Sequence, residues 1–210
     1  MIKVLVADDH AVVRRGLRQI LAETPDIVVS GEAETPNEVM QLVLREPWSV
    51  VLLDIKLRGG SGLELLAWMR RERAHVPVLI LTVYPEDQYA VRAIKAGAAG
   101  FLTKESAPEK LIEAVRKVAA GGRYVSAELA ETLASLLAGE AKGVPHARLS
   151  DREFEVMKML ASGKTVSEVA QELSLSVKTV STHRTRILRK MNMRTNAELT
   201  HYAVRSGLIE

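Results

Sequence analysis

VVLLDIK, residues 50–56, sets four apolar side chains in a row and closes on an aspartate. A strand with one face in water alternates apolar and polar residues. This run does not alternate, so it reads as a strand buried on both faces, the situation of a parallel sheet covered by helices. VLILTVY at 78–84 repeats the form, and VLVADDH at 4–10 ends on two adjacent carboxylates. Five strands are expected: Ile2 to Ala7, Ile27 to Ser30, Val50 to Leu53, Val78 to Thr82 and Gly100 to Thr103. The three-to-four spacing of helices appears in Ala11 to Glu23, Pro36 to Glu46, Gly62 to Arg73, Glu86 to Ala96 and Pro108 to Ala120. Gly97 and the Gly121–Gly122 pair stand where helices should stop. Five alternations of strand and helix predict an α/β domain with helices on both faces of a parallel sheet.

In such a sheet ligands sit beyond the carboxyl ends of the strands. Asp8 and Asp9 end the first strand, Asp54 the third and Thr82 the fourth, and Lys104 follows the fifth. Singly, each has an ordinary reading: an aspartate caps a helix or forms a turn, a threonine fills a strand, a lysine faces water. Their convergence on one edge is what points to a site. Carboxylates brought together resist ionisation unless a hard divalent cation such as Mg2+ neutralises them, and an added ammonium and hydroxyl would suit a phosphoryl group.

Composition limits the alternatives. The chain has 210 residues, 47% of them hydrophobic and 26% charged, with no cysteine, which excludes disulfides and thiolate metal sites. No apolar run is long enough to span a bilayer, and the N-terminus runs straight into a strand pattern with no cleavable leader, so a cytoplasmic protein with no membrane partner is expected. The net charge of +3 is unevenly placed: residues 1–121 carry 16 basic and 16 acidic side chains, residues 122–210 carry 13 and 10. Two parts with different partners are implied.

The second part follows a connecting region, 122–147, with one helical stretch, Ala127 to Leu137, and the breaker-rich GEAKGVPHAR, which reads as a flexible tether. From residue 148 the pattern is all helical. Ser150 with Glu153 is a capping-box signature, and Gly163 ends that helix. Val166 to Leu173 and Val177 to Met191, separated by a tight turn, predict a helix-turn-helix. Val180, Ile187, Leu188 and Met191 form the inward stripe of the second helix, and Lys178, Ser181, Thr182 and Thr185 lie opposite. Arg184, Arg186, Arg189, Lys190 and Arg194 add cations, and no acidic residue falls between Leu173 and Ala197. A solvated basic face is the plain alternative to phosphate contact.

The Asp8–Asp9 pair, Asp54 after its apolar run, the LT at 81–82 and the FLTK at 101–104 resemble the receiver domain of bacterial two-component response regulators over residues 1–121. Residues 149–191 resemble the LuxR-type DNA-binding domain, and the combination is similar to the NarL/FixJ group. The resemblance implies a flavodoxin-like fold followed by a small all-α domain at 148–210. Asp54 would be the phospho-acceptor, served by a sensor histidine kinase. Asp8, Asp9, Asp54 and the backbone carbonyl of Lys56 would hold Mg2+; Lys104 and Thr82 would meet the phosphoryl oxygens, with Phe101 as a rotamer switch. Ser181, Thr182 and Thr185 would read bases of double-stranded promoter DNA, with Lys178, Thr179, His183 and Arg186 on the backbone. His183 reads equally as a packed, hydrogen-bonded histidine. The last helix, from Asn196 as cap to Ser206, resembles the one through which this group pairs on DNA, so a homodimer is expected there, with RNA polymerase as a further partner. Arg58 and Leu57 depart from the Pro and Met common in the family, Ala11 stands where a Pro often follows DDH, and Lys56 and Arg58 bring positive charge towards the acceptor. Lys56 also occupies the place of the second aspartate of haloacid dehalogenases, so a turnover enzyme is not expected. His10, His75, His146 and His201 lack metal-ligand spacing and carry no assigned chemistry.

Overall fold

A computed structural model describes residues 1–138 and 145–209, which fall into two compact units, Met1–Ala138 and Gly139–Glu210. In the first unit, β1 (Ile2–Ala7), β2 (Ile27–Ala33), β3 (Val50–Leu53), β6 (Val78–Thr82) and β7 (Gly100–Thr103) form one sheet in the order β2-β1-β3-β6-β7. All four pairings are parallel. Four of the five strands have the expected ends. β2 runs on to Ala33 because its pairing with β1 continues through Gly31 and Glu32 after an irregularity at Val4/Leu5, although the apolar pattern stops at Val29. The non-alternating runs are buried throughout, as double-sided covering requires: every residue of β3 and β6 is inside.

The crossovers are α1 (Ala11–Ala22), α2 (Pro36–Arg45), α3 (Gly62–Glu72) and α4 (Glu86–Lys95), and α5 (Pro108–Ala119) follows the last strand. Each stops one residue short of the sequence reading, which took in the C-cap residue. The inward stripes of α1 and α5 join the strands in one core, with Leu17 and Leu21 of α1 and Leu111, Val115 and Val118 of α5 against Val4, Val6, Leu52 and Leu79. Between β3 and α3 a small antiparallel hairpin, β4 (Lys56–Leu57) and β5 (Gly60–Ser61), turns at Gly59 with φ +83°. It brings Gly62 so close beneath β3 that a Cβ there would lie 2.0 Å from the Asp54 carbonyl oxygen. Only glycine fits, and the loop after Asp54 is thereby closed tightly under the sheet edge.

After α5 comes α6 (Ala127–Leu137), the expected helix, capped by Ser126 and grouped with the first unit. Residues 139–144 of the tether lie outside the described residues. Pro145–Arg148 form a 3-10 turn rather than extended tether, and it is held by a bond between His146 Nδ1 and Tyr202 Oη at 2.7 Å.

The second unit comprises α7 (Asp151–Ala161), α8 (Val166–Glu172), α9 (Val177–Met191) and α10 (Asn196–Arg205). Phe154, Met157 and Leu160 of α7, Val169 of α8, the α9 stripe Val180, Ile187, Leu188 and Met191, and Leu199 of α10 are all buried. Capping fixes the helix starts: reciprocal boxes at Ser150/Glu153 and Thr165/Glu168, and side-chain caps from Ser176 and from Thr195, which takes the capping place read for Asn196 because its hydroxyl accepts from Glu198 N. The turn between α8 and α9 passes through Ser174 in the left-handed region, φ +53°.

Candidate functional site

Parallel pairing builds the first site. Ala7 is in register with Leu53, so the next residue along each strand, Asp8 and Asp54, emerges beside its neighbour at the carboxyl edge. Asp54 N donates to Ala7 O at 2.9 Å and carries the ladder one step further. Thr82 pairs with Thr103, and Lys104 N donates to Thr82 O at 2.8 Å, which brings the lysine to the same edge. Lys104 Nζ then reaches Asp54 Oδ2 at 2.5 Å and Asp8 Oδ2 at 2.6 Å, and all three side chains are nearly buried. Burial alone would lower the ammonium's pKa, but bonding to Asp54 and Asp8 and their negative charges outweigh it, and the pKa is raised.

The structure brings Asp8, Asp9, Asp54 and Lys104 together as the sequence suggests. Ligand atoms of Asp8, Asp9, His10 and Asp54 lie within 4.8 Å of one another. Three carboxylates against one ammonium leave two negative charges, the complement of a divalent cation. Asp9 Oδ1 is buried without a hydrogen-bond partner; His10 Nδ1 is 2.8 Å away but not aligned to donate to it. A buried carboxylate oxygen in that condition fits a hard cation. Lys56 N approaches Asp54 Oδ1 at 3.4 Å. Thr82 is fully buried, its hydroxyl accepting from Tyr84 N at 3.4 Å, and Phe101 is 2% exposed in the core. The Arg58 guanidinium binds Glu34 Oε2 at 2.8 Å, so the extra charge read beside the acceptor is matched by Glu34.

Two residues escaped the sequence reading. His10 belongs to the acidic cluster, and its only signal was its place directly after the aspartate pair. Arg14 is buried on the α1 stripe with Leu17 and Leu21. Its Nη1 donates to Asp8 O at 2.8 Å, its Nε to Glu32 at 3.0 Å and its Nη2 to Glu34 at 2.6 Å. An arginine at apolar spacing behind the aspartates was a visible sign of an inward charge with partners.

In the second unit α9 exposes Lys178, Ser181, Thr182, Thr185, Arg186 and Arg189. Thr182 and Thr185 donate back to the carbonyls of Lys178 and Ser181 at 2.9 and 3.0 Å, which turns their methyl groups and oxygen lone pairs outward. Thr179 is tied to the N-cap through Ser176 Oγ at 2.7 Å. His183 is half-buried and its Nδ1 has no hydrogen-bond partner. Two of the supposed surface cations are engaged internally: Arg184 Nε donates to Asn196 Oδ1 at 2.7 Å, and Lys190 Nζ reaches the buried Glu153 at 2.5 Å.

The fold and sites define a two-part regulator: a receiver sheet with an acidic edge, and a helix-turn-helix with a basic exposed face. Residues 4–116 match the response regulator receiver domain, and residues 147–203 match the luxR family of bacterial regulatory proteins. The chain is 39% identical to the response regulator UvrY of Escherichia coli K12 over 209 residues, 99% of this chain and 96% of that protein. It is 37% identical to the response regulator GacA of Pseudomonas aeruginosa over 211 residues, 100% and 99% of the two chains. Among solved structures, the response regulator ChrA of a heme-sensing two-component system superposes with a TM-score of 0.53 at 31% identity, covering 99% of this chain and 98% of that one. The chain belongs to the NarL/FixJ-type response regulators of two-component systems. Its architecture is that of a transcription regulator rather than a turnover enzyme. No helix among the described residues is long and apolar enough to cross a membrane.

Proposed function

We propose that the receiver, residues 1–121, accepts a phosphoryl group on Asp54 from a phosphohistidine of a sensor kinase. The LuxR-type domain, residues 148–210, would then bind promoter DNA as a homodimer, with 122–147 as linker. The observation that carries this reading is Lys104 bonded to both Asp54 and Asp8 beside an Asp9 oxygen that accepts no hydrogen bond. An Asp54 oxygen forms the new O–P bond as the P–N bond breaks. Lys104 balances charge on the phosphoryl oxygens, and the buried Thr82 hydroxyl turns from its local contact with Tyr84 N to meet them. Asp8, Asp9, Asp54 and the Lys56 carbonyl would hold Mg2+, which supplies neutralisation of the crowded oxygens. Arg14, pinned by Glu32 and Glu34, holds the Asp8 backbone in place. Phe101 shifts with Thr82 and changes the face formed by the last two strands and their helices, a two-state surface biased by one charge event.

On α9, Ser181, Thr182 and Thr185 face bases, while Lys178, Thr179, His183 and Arg186 face the backbone. Pairing through α10 makes two weak half-site readers one strong binder. The protein acts in the cytoplasm, where RNA polymerase is its further partner. The test is intact mass, oligomeric state and affinity for a promoter fragment, with Mg2+ and a small phosphoryl donor, in wild type and Asp54→Ala. Phosphoryl uptake, dimerisation and tighter binding in wild type alone are expected. Equal binding by both proteins under every condition would overturn the reading.

A further inference from the structure

β7 is the last strand of the sheet, and an open strand edge invites pairing. Here the chain's own continuation occupies it. Tyr124 N donates to Ala99 O at 2.9 Å, and Phe101 N donates to Tyr124 O at 3.1 Å, a parallel bridge between Gly100 and Tyr124. The strand is built for this approach: a Cβ on Gly100 would lie 2.6 Å from Tyr124 O and 3.0 Å from Tyr124 Cβ. Two residues on, Ser126 Oγ donates to Glu86 Oε1 at 2.5 Å while accepting from Leu129 N at 3.0 Å to cap α6. Leu129 is 4% exposed, and α6 packs on α4.

One attachment point lies on a strand that carries a switch residue, and the other on the helix that follows the strand of the second. One is the amide of Phe101 itself. The other is Glu86, the first residue of α4, four positions beyond Thr82. We propose that the segment from Arg123 through α6 is the reader of the phosphorylation state. It is docked on β7 and α4 when Asp54 is free, and it is loosened when Thr82 and Phe101 rearrange. The proposal rests on the phosphorylation reading above and assigns that reading its output element. A segment held by a few hydrogen bonds and the buried Leu129 belongs to the range of local opening equilibria that a bound group can shift. Because α6 precedes the tether in the chain, its release changes what the second unit is fastened to.

The experiment is amide hydrogen exchange on the full chain with Mg2+, with and without beryllofluoride, in wild type and Asp54→Ala. Protection of the Phe101 and Tyr124 amides should fall by about tenfold or more in wild type only. Unchanged protection in a wild type whose DNA affinity does respond to beryllofluoride would overturn the proposal. Two variants test it from the other side. Gly100→Ala pushes Tyr124 off the edge, and Ser126→Ala cuts the tie to Glu86. Either should still gain one phosphoryl group by intact mass yet show a DNA affinity that no longer depends on it. Full retention of the response in a folded Ser126→Ala protein would overturn it. A wild type that gains no phosphoryl group overturns the phosphorylation reading itself, an outcome told apart by mass alone.

Discussion

Lys104 Nζ lies 2.5 Å from Asp54 Oδ2, joining the residue after the fifth sheet strand to the one after the third, fifty positions apart in sequence. The bond is inside the protein, so its loss leaves charge that water cannot fully restore. Lys104→Met should destabilise the first unit by about 3 kcal/mol, with much of this recovered on adding Mg2+. The pH dependence follows from the raised pKa of Lys104: its contribution is complete below the ordinary lysine value of 10.5 and is lost as pH rises through the higher folded value. Thermal melts across the alkaline range should show a steep decline in wild type and a shallower one in the variant.

Asp9 supplies the other half of the charge argument, since its buried Oδ1 has no hydrogen-bond partner. Replacing it by Asn keeps the shape and removes one negative charge from the cluster. In the presence of a chelator Asp9→Asn should be more stable than wild type, by about 1 kcal/mol, because repulsion is relieved. Titration with Mn2+ followed by electron paramagnetic resonance should show affinity lowered by at least about tenfold, as expected where a ligand carboxylate is lost. A variant that binds Mn2+ as tightly as wild type would remove Asp9 from the ligand set.

In the second unit, Glu153 closes the capping box at Ser150 and accepts from Lys190, which ties the start of α7 to the end of α9. Burial by itself raises its pKa, but the Lys190 bond and the Ser150 amide hold it below the ordinary glutamate value. The stabilisation is therefore present above the ordinary value and is lost as pH falls through the lowered one. Glu153→Ala should cost the helical unit about 2 kcal/mol, the cap plus a charge-assisted bond partly screened at the Lys190 end. Chemical denaturation at neutral and acid pH should show the difference from wild type shrinking on acidification.

The parts of the structure legible in advance were those written in local pattern. The apolar runs of β3 and β6 fixed a doubly covered parallel sheet, and strand ends then placed Asp8, Asp54, Thr82 and Lys104 without further help. β2 was underestimated because its later half is polar and is held by register with β1, which no local pattern records. Arg14 stood at apolar spacing on α1, but its partners Glu32 and Glu34 lie across a crossover and no local pattern names them. Tyr124 left almost no trace, since it docks through its backbone. Its one signature is the missing side chain at Gly100, which reads as a strand start until the neighbouring chain is seen. On α9 the inward stripe was readable from spacing, but Lys190 and Arg184 look like free cations until Glu153 and Asn196 come into contact with them.

That last distinction separates binding from stability on a single helix. Arg186 is exposed on the same face as Lys178 and Thr182, whereas Lys190, three residues beyond Ile187, is bound to Glu153. Arg186→Ala should weaken binding to all DNA sequences alike and lower the slope of log affinity against log salt by about 1, as loss of one phosphate contact requires. Thr185→Ala, at a position proposed to face bases, should instead leave the slope unchanged and relax discrimination at one base pair by about 1–3 kcal/mol. Lys190→Ala should do neither: affinity stays within about 0.5 kcal/mol once the protein is folded, and the loss appears in the unfolding midpoint. Binding isotherms at several salt concentrations on matched and mismatched promoter fragments resolve the three behaviours. A salt slope lowered by Lys190→Ala as much as by Arg186→Ala would mean that Lys190 leaves Glu153 for the phosphates when DNA arrives, and that the cap of α7 is given up on binding.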